Sequence, residues 1–321
     1  MNSKPIVLVT RRLPEAVECR LQREYAPRLN LADVVYGRDE LLARADGAVA
    51  IIPCHTECLD ADVIARLPAS VRAVCSYSVG YDHIDLAAAK ARGIVVTNTP
   101  DVLSNATAEV AMLLLLAAAR RAYESAALLR NNAWADWSAI GQLGIEVTGK
   151  RLGILGMGRV GQVMARRARG FDMRIHYYNR RRLDPTLEYG AQFHPALETL
   201  LGESDFFSIH CPATPETHHL LNAERIALLP DGAVVVNTAR GAVIDDDALI
   251  AALNSGKLFA AGLDVFNHEP NIDPRYRSLD NAFLLPHIGS ATRETRDAMG
   301  MRALDNLAAI MAGNEPRDRL V

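Results

Sequence analysis

Short apolar runs recur along the chain, and most are separated by stretches of helical pattern. The runs are PIVLVT (5–10), GAVAIIP (47–53), VRAVCSY (71–77), GIVVTN (93–98) and KRLGILG (150–156), then MRIHYYN (173–179), DFFSIHC (205–211), GAVVVNT (232–238), LFAAGLDVF (258–266) and NAFLLPH (281–287). Many are continuously apolar rather than alternating, as strands covered on both faces are. Between them lie helical stretches such as DLAAAKARG and DDALIAALNSG, each closed by a glycine. Strands alternating with helices predict an α/β chain with parallel, doubly wound sheets. The longest apolar run, Val110–Ala119, is ended by Arg120 and Arg121. It is about half as long as a membrane crossing needs, so it predicts a buried helix, part of a long helix that starts after Ser104. Two doubly wound units are expected, one from residue 1 to about 100 and one carrying the later strands. The pattern leaves open which unit the final helix, about 293–313, packs on.

Composition narrows the class. A chain of 321 residues suggests about two domains. A net charge of −3 is too balanced to suggest a nucleic-acid partner. The five cysteines, Cys19, Cys54, Cys58, Cys75 and Cys211, are odd in number and scattered, which predicts a reducing compartment rather than a disulfide framework. Cys54, His55 and Cys58 are spaced like half a zinc site, but no second pair follows, so no metal is expected. MNSKPIVLVTRR has no apolar core of signal-peptide length, and a cytoplasmic protein is expected.

The candidate chemistry begins at GILGMGRVG (153–161). Gly156, Gly158 and Gly161 form a G-x-G-x-x-G turn between an apolar strand and an amphipathic helix, the context in which this pattern binds a dinucleotide. Gly156 permits the tight turn, Gly158 lets a pyrophosphate approach the backbone, and Gly161 lets helix and strand pack. The helix N-terminus adds free N–H groups for phosphate. About twenty residues on, where an acid usually holds the ribose hydroxyls of NAD, stand Asn179, Arg180, Arg181 and Arg182. Asn179 removes the repulsion of a 2′-phosphate while still bonding a hydroxyl. Arg180 or Arg181 can grip the phosphate bidentately. Two charged hydrogen bonds would favour NADPH over NADH by about ten- to a hundredfold, with NADH a weaker alternative. Arg182 is expected to be solvent-facing.

Three further residues fall near predicted strand ends: Arg240 in VVVNTARGAVID, Glu269 in GLDVFNHEP and His287 in LLPHIGSAT. Ligands of doubly wound folds bind beyond the carboxyl ends of the strands. The three suit reduction of a 2-keto acid. A guanidinium clamps the carboxylate, an imidazolium donates a proton to the carbonyl oxygen, and a carboxylate beside the histidine stabilises the imidazolium.

The ordered stretches SVGYDHIDLAAAKARGIVVTNTP, NATAEVAMLLLL, GKRLGILGMGRVGQ, HCPATPETHHLLN, VVVNTARGAVIDDDAL, AAGLDVFNHEP and LLPHIGSAT, from about residue 76 to 295, resemble the D-2-hydroxyacid dehydrogenase family. The first 70 residues match only in pattern. The resemblance implies a catalytic trio of Arg240, Glu269 and His287, and a Ser78-Val79-Gly80 loop that binds the substrate carboxylate through backbone N–H groups, beside Arg240 and His287. It implies cofactor contacts from Thr107, Met157, Arg159, Val160, Cys211, Pro212, Thr217, Thr238, Ala239, Asp264 and Gly289, besides the glycines and Asn179 to Arg181. It implies a discontinuous, flavodoxin-like substrate domain (1–101 and 291–321), a Rossmann cofactor domain (102–290), hinges near 100 and 290 that let a cleft close, and a homodimer formed through the cofactor domain and the long helix near 104–130. The arginine stretch departs from most NAD-using relatives, which carry an aspartate near 179. It looks like the NADPH-dependent glyoxylate/hydroxypyruvate reductases. On the same scaffold the alternatives are a 2-ketogluconate or broader 2-keto acid reductase and, in another class, a nucleotide-sensing corepressor. Formate oxidation is disfavoured, since that subgroup carries glutamine where this chain has Glu269.

Overall fold

A computed structural model describes residues 4–321, so the first three residues of the amino-terminal stretch read above lie outside it. The chain divides into two compact units. One runs up to Leu103 and is completed by Ala291–Val321; the other is Ser104–Ser290.

The first unit is built on five strands: β1 (Ile6–Val9), β2 (Ala26–Arg28), β3 (Ala50–Ile52), β4 (Ala73–Cys75) and β5 (Val95–Thr97). They are ordered β2-β1-β3-β4-β5, and every pairing is parallel. This is the flavodoxin-like order, with its reversal point between β1 and β3. The final helix, Arg293–Met311, lies against β4, β5 and the helix Glu15–Glu24. Gly300 makes that approach possible, because a Cβ there would sit 2.4 Å from a methyl of Val17. After the helix the chain returns along β5, where the Leu320 N–H donates to the Val96 carbonyl (2.8 Å).

The second unit holds seven strands: β6 (Arg151–Leu155), β7 (Arg174–Tyr178), β8 (Gln192–Phe193), β9 (Phe206–Ile209), β10 (Ala233–Asn237), β11 (Leu258–Leu263) and β12 (Ala282–Leu284). Their order is β12-β11-β10-β9-β6-β7-β8, all parallel. Counted within the unit, this is the Rossmann order extended by one strand, reversing between β6 and β9. One face is covered by the apolar helix Ser104–Ala119, which lies on β10 and β11 and against the helix Arg159–Arg169. A Cβ at Gly262 of β11 would come within 2.8 Å of the Leu114 carbonyl oxygen, so glycine lets helix and sheet meet. Each of the ten apolar runs contains a strand, and the α/β doubly wound class stands. The two strands that escaped the pattern, β2 and β8, are short edge strands without an apolar run.

One expectation is corrected. The helix over 104–130 is two helices, Ser104–Ala119 and Ala122–Arg130, broken at Arg121, whose φ of 50° is left-handed. The Ala119 carbonyl is taken by the Ile145 N–H (2.8 Å), and a Cβ at Gly144 would sit 2.4 Å from that same oxygen. A returning segment thus caps the first helix and stops it. Among the described residues, no helix is long and apolar enough to cross a membrane.

Candidate active site

The glycine loop joins β6 to the helix Arg159–Arg169. Gly156 has φ 91°, and a Cβ there would lie 2.6 Å from the Cys211 amide nitrogen. A Cβ at Gly161 would lie 2.4 Å from the Gly156 carbonyl oxygen, whereas one at Gly158 would meet nothing within 4 Å. Two of the glycines are therefore required by backbone packing, and Gly158 faces open space. The first N–H groups of the helix, at Arg159, Val160 and Gly161, have no intrahelical acceptor. The buried Met157 donates its N–H to Asn179 Oδ1 (2.7 Å) from the end of β7. Asn179 thus fixes the glycine loop through its oxygen and leaves its Nδ2 group as the part that can meet a ligand.

The three arginines divide. Arg180 and Arg181 are exposed and make no hydrogen bond or ion pair among the described residues. Arg182 is not merely solvent-facing, contrary to expectation. Its Nε and Nη2 meet Glu188 Oε1 and Oε2 at 2.7 and 3.0 Å, and its guanidinium lies 5.7 Å from the centroid of the Phe193 ring. Glu188 is 6% exposed and also accepts from the Tyr177 hydroxyl (2.6 Å). Arg182 and then Tyr177 hold its carboxyl down to about 2. A buried carboxylate costs energy unless paired, and Arg182 supplies the pair.

The loop after β9 lies beside the glycine loop. Thr217 closes it, donating to the Pro212 carbonyl (2.8 Å) and accepting from the Thr214 N–H (2.8 Å). Glu216 in this loop is held low mainly by the Thr214 hydroxyl, with a smaller pull from Arg180. His210 spans the ends of β9 and β10, with Nε2 2.9 Å from Ser208 Oγ and Nδ1 3.3 Å from Thr238 Oγ1.

The three candidate catalytic residues follow the neighbouring strands β10, β11 and β12. Arg240 comes three residues after β10, in a turn set by Asn237: its Oδ1 accepts from the Ala239 N–H and its Nδ2 donates to the Arg240 carbonyl, both 2.9 Å. The next residue, Gly241, packs so closely that a Cβ would lie 1.9 Å from the Phe266 carbonyl carbon. That contact holds the Arg240 turn against the segment bearing Glu269. Glu269 accepts from the Phe266 N–H through Oε1 (2.7 Å) and meets His287 Nδ1 through Oε2 (2.6 Å). A carboxylate only accepts, so Nδ1 carries the proton and Nε2 is the outward-acting nitrogen. His287 has φ 53°, a left-handed conformation that costs a branched or ringed residue energy. Asp264 offsets that cost. Its carbonyl accepts from the His287 N–H (2.9 Å), and its carboxylate accepts from the N–H groups of Ile288 and Gly289 (2.7 Å each). Burial pushes the Asp264 carboxyl up; the Ile288 N–H and His287 oppose the shift. Thr107 donates to the Gly289 carbonyl (3.1 Å) and completes the clamp.

In the first unit, Ser78-Val79-Gly80 follows β4. The Ser78 carbonyl accepts from the Thr99 N–H (2.9 Å), and the Gly80 carbonyl from the Ser78 hydroxyl (2.6 Å). No acceptor among the described residues takes the N–H groups of Ser78, Val79 or Gly80. Sequence reasoning missed Asn237, His210, Gly241 and Glu188. Asn237 had a legible signal, an Asx residue at the end of an apolar run. Gly241 is defined by a segment 25 residues away, and Glu188 and His210 by side-chain partners that only the folded turns and strand ends bring to them.

Comparison with known proteins shows the family of the chain. The D-isomer specific 2-hydroxyacid dehydrogenase NAD binding domain family matches residues 112–289. The chain is 44% identical to a glycerate dehydrogenase of Hyphomicrobium methylovorum over 313 residues, covering 97% of each chain. It is 44% identical over 318 residues to a glyoxylate reductase of Pyrococcus furiosus, covering 98% of this chain and 94% of that one. It resembles the structure of an NADPH-dependent glyoxylate/hydroxypyruvate reductase from Sinorhizobium meliloti in complex with NADP and malonate. The TM-score there is 0.89 at 32% identity, covering 99% and 97% of the two chains.

The Glu188 pair has a pH signature. Because its folded carboxyl titrates at about 2, below the ordinary 4.5, its contribution is present above pH 4.5 and is lost as the pH falls toward 2. Arg182→Ala is expected to lower the urea midpoint at neutral pH, with the gap to wild type narrowing as the pH drops from 4.5 toward 2. A pH-independent gap would show that the carboxylate is not what Arg182 stabilises.

Proposed function

Because the chain belongs to the D-isomer specific 2-hydroxyacid dehydrogenases, we propose that it reduces small 2-keto acids, glyoxylate and hydroxypyruvate foremost, to 2-hydroxy acids with NADPH. The observation that carries this reading is the His287 Nδ1 to Glu269 Oε2 contact of 2.6 Å in the same unit as the glycine loop. That loop fits a dinucleotide: open space at Gly158 and the N–H groups of a helix N-terminus suit a pyrophosphate. On this reading Ser104–Ser290 holds the cofactor and the first unit holds the substrate.

NADPH is favoured by how the 179–182 stretch distributes its polar groups. Asn179 has its oxygen committed to Met157 and offers a donor. Arg180 and Arg181 carry cationic donors without a protein acceptor, and Arg182 is spoken for by Glu188. Donors without a carboxylate suit a phosphate better than a pair of hydroxyls. When bound, the nicotinamide supplies the hydride. The protein supplies the rest. In the second unit Arg240 offers a guanidinium to the substrate carboxylate; in the first, the N–H groups of Ser78, Val79 and Gly80 are donors for a carboxylate. His287 Nε2 gives its proton to the carbonyl oxygen. Glu269 orients the ring and offsets the charge it carries before that transfer, while Asp264 holds the turn on which the ring sits.

We also propose that a second copy of the chain covers the segment after the helix Ala122–Arg130. Trp134, Trp137, Ile140 and Leu143 are 60, 78, 82 and 58% exposed there, and large apolar side chains exposed along one segment mark an interface. Trp137→Ser with Ile140→Ser is expected to halve the mass seen by light scattering; a wild type that already runs as a single chain would exclude this.

The reaction is tested by following NADPH oxidation on adding glyoxylate, hydroxypyruvate or 2-ketogluconate; no turnover with any of them would overturn the reading. His287→Ala should lower kcat by about 10²–10⁴-fold while NADPH dissociation changes little. Equal losses in both would refute a proton donor. Arg180→Ala with Arg181→Ala should weaken NADPH by about ten- to a hundredfold and leave NADH nearly unaffected. A parallel loss for the two cofactors would show that these arginines do not read the phosphate.

A further inference from the structure

Three buried polar side chains in the first unit, those of Asp318, Asn306 and Asn98, form a connected path that ends on the Ser78-Val79-Gly80 loop. Asp318 is 9% exposed, Asn306 1%, Asn98 7% and Ser78 6%. Asn306 lies on the helix Arg293–Met311 and pairs with Asp318 twice. Its Nδ2 donates to Asp318 Oδ2 (3.0 Å) and its Oδ1 accepts from the Asp318 N–H (3.3 Å). Arg302 lies 3.6 Å from the same carboxylate oxygen and supplies the countercharge. Asn306 Nδ2 also donates to the Asn98 carbonyl (3.2 Å), and the Asn98 N–H donates to the Asp318 carbonyl (3.4 Å). Asn98 is therefore held through both backbone groups. Its side chain is left to reach sideways, and its Nδ2 donates to the Val79 carbonyl at 2.8 Å.

The consequence follows from peptide geometry. In a trans peptide the carbonyl of one residue and the N–H of the next point in opposite directions. The Thr99 N–H fixes the Ser78 carbonyl, which turns the Val79 N–H the other way. The Asn98 amide fixes the Val79 carbonyl, which turns the Gly80 N–H the other way. Two successive carbonyls anchored on the protein leave two successive N–H groups turned away from those anchors, as donors for an anion. A loop of glycine and small residues would otherwise pay ordering entropy on binding.

We infer that Asn98 is a positioning residue for carboxylate binding, pre-orienting the Val79 and Gly80 N–H groups, and that Asn306 and Asp318 set its geometry. Asn98 touches neither substrate nor cofactor in this account; it acts through the loop. The inference rests on the proposed reading of Ser78-Val79-Gly80 as a carboxylate site.

The test is Asn98→Asp. The shape is kept, but a carboxylate oxygen faces the Val79 carbonyl where a donor stood. Binding of oxalate to the NADPH-loaded protein is measured by calorimetry, NADPH binding by fluorescence, and the glyoxylate KM and kcat by steady-state kinetics. The expected result is an oxalate dissociation constant and a glyoxylate KM raised about tenfold or more, the effect of losing one or two charge-assisted bonds, at an unchanged NADPH constant. Asn98→Ser keeps a shorter donor and should show a smaller loss in the same direction, which covers the case of an Asp variant that does not fold. Oxalate binding that does not change in folded variants, that weakens only in step with NADPH, or that is absent in the wild type overturns the inference. Turnover is separate. A wild type that binds oxalate but reduces no 2-keto acid defeats the reductase reading and leaves the role of Asn98 to be decided by the oxalate constants alone.

Discussion

Parallel pairing is the constraint from which the rest of this structure follows. Strands that all run one way must return by crossovers, so every loop that follows a strand emerges at the same edge of its sheet. In the second unit this brings together the glycine loop after β6, Asn179 after β7, the Thr217 loop after β9, Arg240 after β10, Glu269 after β11 and His287 after β12. Residues more than a hundred positions apart become neighbours without any long-range search by side chains. Because the strands are buried on both faces, the sheet itself has no freedom to adjust, and variation is confined to the loops.

Loops at such an edge need posts, and the chain uses the same device four times. Asn98 and Asn179 stand one residue past β5 and β7, Asp264 one past β11, and Asn237 is the last residue of β10. Each has a short polar side chain that bonds backbone groups of the loop beside it: Val79, Met157, Ile288 with Gly289, and Ala239 with Arg240. Asn and Asp are suited to this because their side chains reach about as far as a backbone amide does. Asp264 carries the largest burden. It is 1% exposed, and it pins a turn in which His287 adopts left-handed backbone. The strain of that turn and the cost of burying the carboxylate are met by the same hydrogen bonds.

The arginine stretch shows how one charge type serves two purposes. Arg182 satisfies a buried carboxylate and is part of the fold. Arg180 and Arg181 leave their donors in solvent at the end of β7, where nothing in the fold needs them. Adjacent residues with the same side chain thus differ in what their removal would disturb: stability for Arg182 and, on the proposed reading, ligand binding for Arg180 and Arg181.

Patterning alone determined the α/β class, ten of the twelve strands among the described residues and the glycine loop, and it put Arg240, Glu269 and His287 just after strands. These are legible because they rest on local periodicity, on special backbone at glycine, or on residue types placed just after an apolar run. The edge strands β2 and β8 were not, since an edge strand needs no apolar run to be held by its neighbour. Only the tertiary structure ended the helix at Ala119, because the residue that caps it, Ile145, is 26 positions away. It alone separated Arg182 from Arg180, because Glu188 and Tyr177 become its partners only once β7 is in the sheet. It alone revealed Gly241 as a contact point and Asn98 as a post, for a close approach or a buried hydrogen bond exists only between segments that folding has brought together.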